Sequence, residues 1–124
     1  MTILEALSRV DALKFNTYTA SEKVAWLSNL DSAVKNLIID NHEGGEAISF
    51  TGYDENTEMN TVLLVPAPFD EIYLRWMESQ INYHNGELEK YNASIIMYNT
   101  AFDAYANFYK RNHMPRSRGT RFIF

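Results

Sequence analysis

The chain contains no cysteine, only three prolines and only five glycines in 124 residues. Without thiols there is neither a disulfide framework nor a thiolate metal site. No apolar run reaches the 18 or so residues that a membrane-crossing helix needs. The first fifteen residues carry Glu5 and Asp11 inside an amphipathic pattern, which is unlike a signal peptide, so an intracellular, soluble protein with no membrane partner is expected. Acidic residues are missing after Asp103. The net charge of −5 therefore divides into −10 over residues 1–109 and +5 over residues 110–124, the latter from Lys110, Arg111, Arg116, Arg118 and Arg121. A basic arm of this kind can contact nucleic acid or an acidic protein surface; the plain alternative is a solvated chain end.

Signatures of chemistry are also missing. No phosphate-cradling G-x-x-x-x-G-K-[ST], no G-x-G-x-x-G, no G-x-S-x-G and no H-E-x-x-H occurs. His42, His84 and His113 are far apart and lack paired ligand spacing. Asp54, Asn56, Glu58 and Asn60 imitate the first half of a calcium loop. Met59 stands where the sharp turn needs glycine, however, and Val65 where the bidentate glutamate belongs. The acidic neighbours Asp70-Glu71 and Glu87/Glu89 suit helix starts, where carboxylates meet the positive end of the dipole. The expectation is a protein that is not an enzyme and has no metal and no cofactor.

What the chain does have is helical periodicity. Leu74, Met77, Ile81, His84, Leu88, Tyr91, Ile95, Tyr98, Phe102, Tyr105 and Tyr109 follow steps of three and four, which keep side chains on one helix face. His84 on that seam reads as a core histidine. Asn85-Gly86 is a helix-ending signal inside the seam, so two helices are expected, roughly 68–85 and 87–112, the first begun by Pro68 with Asp70 and Glu71. Upstream, Thr2 is an N-cap for a helix to about Leu13, with Ile3, Leu4, Leu7 and Val10 inward. Thr19-Ala20-Ser21-Glu22 is a capping box for a second helix reaching about Ile39. Its apolar face is Trp26, Leu27, Leu30, Ala33, Val34, Leu37 and Ile38; Glu22, Lys23, Asp31 and Lys35 are assigned to solvent. Between the helix pairs, residues 41–61 read as a loop, and Ala47–Phe50 with Val62–Val65 could pair as a short β-hairpin.

The fold expectation is thus all-α: a small helical bundle over residues 1–115 with long C-terminal helices and that middle hairpin, followed by a basic arm at 116–124. Core residues should include Trp26, Leu30, Leu37, Leu74, Ile81, Ile95 and Phe102. Asn85, Asn92 and Asn99 recur every seven residues beside Tyr91 and Tyr98. A second stripe, Met97, Ala101, Ala104 and Phe108, widens the apolar arc to about half the helix circumference. One side of this helix can face a core and the other a partner, with Tyr91, Asn92, Tyr98, Asn99 and Phe108 as candidate contacts. Arg116, Arg118, Arg121, Phe122 and Phe124 are the candidate contacts of the arm.

Three segments carry a resemblance: Leu63-Leu64-Val65-Pro66-Ala67-Pro68-Phe69-Asp70-Glu71-Ile72-Tyr73, Asn85-Gly86-Glu87-Leu88-Glu89-Lys90-Tyr91-Asn92, and Tyr109-Lys110-Arg111-Asn112-His113-Met114-Pro115. With them the chain resembles the small head-tail connector, or head-completion, proteins of long-tailed phages and prophages. The resemblance implies a mainly helical subunit of a ring beneath the portal that extends the DNA channel. Its partners would be further copies of itself, the portal protein, tail-side connector proteins and DNA passing through the channel. Its place would be the virion neck, and the host cytoplasm during assembly. The competing expectation is a small DNA-binding packaging or regulatory factor acting through its basic tail. The −10 of the body and the absence of a basic helix oppose that.

Overall fold

The computed structural model describes residues 1–115. Four helices carry the fold, which is all-α as expected: α1 (Ile3–Leu13), α2 (Ala20–Leu37), α3 (Ile72–His84) and α4 (Leu88–Asn112), with short 3₁₀ turns at Ile39–Asn41 and Gly45–Ala47. Both N-terminal helices begin with reciprocal caps. Thr2 Oγ1 accepts from Glu5 N at 3.2 Å while Glu5 Oε1 accepts from Thr2 N at 2.9 Å. The Thr19/Glu22 pair repeats this arrangement at the start of α2.

α1 buries Ile3, Ala6, Leu7 and Val10. Leu4, expected inside, is 56 % exposed because it sits a step around the helix from that stripe. α2 buries Val24, Trp26, Leu27, Leu30 and Val34. It stops at Leu37, which is 62 % exposed against expectation; Ile38 and Ile39, in the turn that follows, enter the core instead. The turn then folds back so tightly that a Cβ on Gly45 would collide with the Ile39 carbonyl oxygen, a contact only glycine avoids.

Among the described residues the expected β-hairpin does not form. Residues 47–50 do not pair with 62–65; the second run instead lies beside the start of α1, where Val62 bridges Thr2 in antiparallel fashion. Leu63 N donates to Met1 O at 3.0 Å and Ile3 N to Thr61 O at 3.0 Å, so the first turn of α1 satisfies the extended backbone. Leu63 and Val65 are thereby delivered into the core. A series of i→i+3 turns from Pro66 to Glu71 follows, and α3 starts at Ile72 rather than at Pro68.

The break at Gly86 is real, with Gly86 at φ +77°, and α4 folds back antiparallel on α3. Ring contacts track the hairpin from its turn outward: Tyr83 to Tyr91 at 5.4 Å, Trp76 to Tyr98 at 4.9 Å, and Phe69 to Phe108 at 4.7 Å. Buried Asn82 and Ser94 join the two helices through a hydrogen bond of 3.1 Å. The seam thus faces itself across the hairpin. Leu74, Met77 and Ile81 are buried, whereas Ile95 and Phe102 are half-buried and Leu88 is exposed. His84 is exposed rather than in the core, with its ring stacked on Trp26 at 5.6 Å.

Candidate interaction surface

Along its 25 residues α4 buries only Ser94, Tyr105 and Tyr109. The expected contact residues separate into two groups. Tyr91, Tyr98 and Phe108 are half-buried, their rings set against Tyr83, Trp76 and Phe69 of the α3 side. Burial pushes the Tyr98 phenol up to about 12. Asn92 and Asn99 are exposed. Asn85 does not continue their row, because it lies in the turn, accepting from the Tyr18 hydroxyl at 2.6 Å and donating to Glu87 at 3.2 Å.

Exposed beside Asn92 and Asn99 is Ile96 at 64 %, with Met97 at 46 % on the opposite flank. Sequence reasoning missed Ile96 because the seam takes Ile95 inward, and the next position lies about 100° further round the helix, away from α3. The signal that could have found it is the absence of charge from residue 91 to residue 102. Ile96, Met97, Ala101 and Ala104 form one wall of a shallow groove, and Glu71 and Arg75 form the other. Arg75 is held between Glu71 at 3.1 Å and Glu78 at 3.4 Å.

At the far end of α4 the backbone is tied to the middle segment. Pro115 bridges His42, and Glu43 N donates to Met114 O at 2.8 Å. His113 stacks on Tyr109 at 3.7 Å, and His42 meets Tyr109 edge-on at 5.2 Å. This fixes the root of the arm; Arg116, Arg118, Arg121, Phe122 and Phe124 lie outside the described residues.

The arrangement most like a catalytic centre is a buried polar lock. Asp31, expected in solvent, is wholly buried. Its carboxylate accepts from the Tyr53 hydroxyl at 2.5 Å, the Tyr73 hydroxyl at 2.7 Å and Leu64 N at 3.1 Å. The Tyr73 hydroxyl in turn accepts from Val65 N at 2.7 Å. Burial raises the Asp31 carboxyl above its ordinary value despite these bonds, and burial followed by the nearby carboxylate raises both phenols. These bonds fasten residues 53–65 onto α2 and α3. Lys23, also expected outside, is buried and bonds Asp11 at 2.6 Å. Asp54 turns inward on its own loop, accepting from Asn56 N at 2.8 Å. Among the described residues no three His, Asp or Glu side chains are placed to hold a metal ion, and no helix is long and apolar enough to cross a membrane.

No family model, no curated protein and no solved structure matches the chain.

Proposed function

We propose that this chain is a structural head-tail connector subunit that forms an oligomeric ring below a phage portal and extends the DNA channel. The observation that carries the reading is the side of α4 turned away from α3, which a single copy leaves in water with Ile96 at 64 % exposure and, on its flank, Met97 at 46 %. Exposed apolar side chains on a long helix favour assembly, because burying them against another protein is favourable at roughly 25 cal/mol per Å². Asn92 and Asn99 supply an uncharged polar border for such a contact, and Tyr91, Tyr98 and Phe108 stiffen the helix from beneath. The resemblance of segments 63–73, 85–92 and 109–115 to connector proteins supplies the partners: further copies, the portal protein, tail-side connector proteins and channel DNA. It also supplies the virion neck as location. The arm adds salt-dependent attraction through Arg116, Arg118 and Arg121 and an apolar anchor through Phe122 and Phe124.

The test is to mix the protein with portal-bearing capsids and measure the mass added. The full chain should add as a ring, and a chain ending at Pro115 should add less while melting at nearly the same temperature. Failure of the full chain to bind the portal would sink the reading. A DNA-binding factor is the second reading, favoured by the exposed Lys110 and Arg111 that continue into the basic arm. Portal binding absent, together with DNA affinity that falls steeply with salt and disappears on removing the arm, would select it.

A further inference from the structure

The outermost line of α4 has opposite charges at its two ends. Glu89 lies eleven residues before Thr100 and Arg111 eleven residues after it, with Lys110 alongside. Eleven residues is close to three full turns, so both ends point within about 20° of the direction of Thr100. Between them the line runs through Ala93, Ile96, Ala104 and Asn107, all uncharged, with Asp103 set off on one flank. Ile96 and Ala104 are exposed, as are Glu89, Lys110 and Arg111. None of these three end charges forms an ion pair among the described residues, although Lys90 and Glu87 next to Glu89 are paired with each other at 2.8 Å.

We infer that the free protein pairs with a second copy of itself through antiparallel contact of the two α4 helices, with the two-fold axis at Thr100. Reversing the second helix about that axis brings its Lys110 and Arg111 to the level of Glu89 of the first, and the reverse at the other end. Because Glu89 and Arg111 lie within about 20° of the central line, and Lys110, about 80° round, is on the same flank as Glu89, the reversal does not throw them to opposite flanks. Two equivalent ionic clusters then close the ends of an uncharged strip. Within the strip Ile96 of each copy lies level with Ala104 of the other, and the small side chains of Ala93, Thr100 and Ala104 let the helices approach closely. Parallel contact would set Glu89 on Glu89 and Arg111 on Arg111, and like charges so placed oppose it. Antiparallel contact also sets the positive end of each helix dipole beside the negative end of the other.

Such a pair is isologous and closes on itself, whereas a ring needs unlike surfaces in contact. The pair therefore belongs to the protein before assembly and covers the α4 face until another partner displaces it. It stands or falls without the portal.

The experiment measures mass in solution by sedimentation, with no portal present, on the full chain and its charge variants. Wild type should be dimeric. Glu89→Lys, which makes both ends basic, and the pair Lys110→Glu with Arg111→Glu, which makes both ends acidic, should each associate at least tenfold more weakly. Mixing these two variants should restore dimers, because at one end the introduced lysine then faces the introduced glutamates and at the other the native Glu89 faces the native Lys110 and Arg111. A chain carrying all three substitutions should dimerise alone. Circular dichroism of each variant controls for folding. A monomeric wild type at all concentrations would overturn the inference and leave the face to a different protein. Variants that dimerise like wild type, or a mixture that stays monomeric, would overturn the antiparallel register.

Discussion

The three-helix body and α4 use the same kinds of residue in opposite ways. α1, α2 and α3 bury a stripe along nearly every turn, and even the charged Lys23 and Asp31 of α2 are drawn inside and given partners. α4 is the longest helix and is as rich in apolar and aromatic side chains, yet only three of its residues are buried, while Tyr98, Ala101, Phe102, Ala106 and Phe108 are half-buried against the core. The difference teaches that apolar periodicity reports the faces available for burial without saying whether one molecule supplies both sides. In the body one chain covers most of each stripe, although Leu4 and Leu37 stay exposed, and on α4 Ile96 stays 64 % exposed.

The comparison breaks most visibly at its polar fastener. Asp31→Ala removes the acceptor from two tyrosine hydroxyls and a backbone N–H, and at about 1–3 kcal/mol for each stranded buried donor the loss should reach about 3–5 kcal/mol in urea unfolding. Leu30→Ala, at a site 1 % exposed, should cost about 2–4 kcal/mol. Gly86→Ala should cost about 1–2 kcal/mol, because the site has room for a methyl group but φ is +77°. Ile96→Ala should change stability by less than about 0.5 kcal/mol, as exposed positions do. If Ile96→Ala cost as much as Leu30→Ala, α4 would be core and the contrast would vanish.

Acid titration sharpens the same contrast. The folded Asp31 carboxyl binds its proton more tightly than the unfolded one, because burial raises its pKa from 3.8. Its favourable contribution is therefore complete below the unfolded pKa and is lost as pH rises through the folded pKa. Glu87 acts in the opposite sense: Lys90, then Lys14 and Asn85, hold its carboxyl down to about 2, so its contribution is lost as pH falls. That group lies at the surface with its side chain 31 % exposed, and salt should screen it. Urea midpoints of wild type and Asp31→Asn, measured across acidic pH, should differ by a component that declines with rising pH. Parallel curves would mean that Asp31 titrates alike in both states.

Much of the body was legible in local signals. Both capping boxes, the apolar stripe of α2 and the turn at Gly86 follow from residues within a few positions of one another. The fastener was not, because the partners of Asp31 come from 22, 33 and 42 residues away, and a lone aspartate on a helix reads as solvent-facing by type. The extended run 62–65 has the composition of a strand, but only the fold shows that its partner is the start of α1 rather than residues 47–50. The seam keeps its phase through Gly86 although the chain reverses there, as the Asn85-Gly86 signal for two helices led one to expect. At the candidate surface Asn92 and Asn99 are exposed, and Ile96 emerges only once the α3 contacts decide which flank of α4 turns inward.

On the proposed function, the outer face of α4 serves contact with other molecules. The most direct test of that claim is the mass that Ile96→Glu adds to portal-bearing capsids, read beside a thermal melt of the same sample. The melting temperature should stay close to that of wild type, with little or no mass added. A variant that assembles as fully as wild type would contradict the claim.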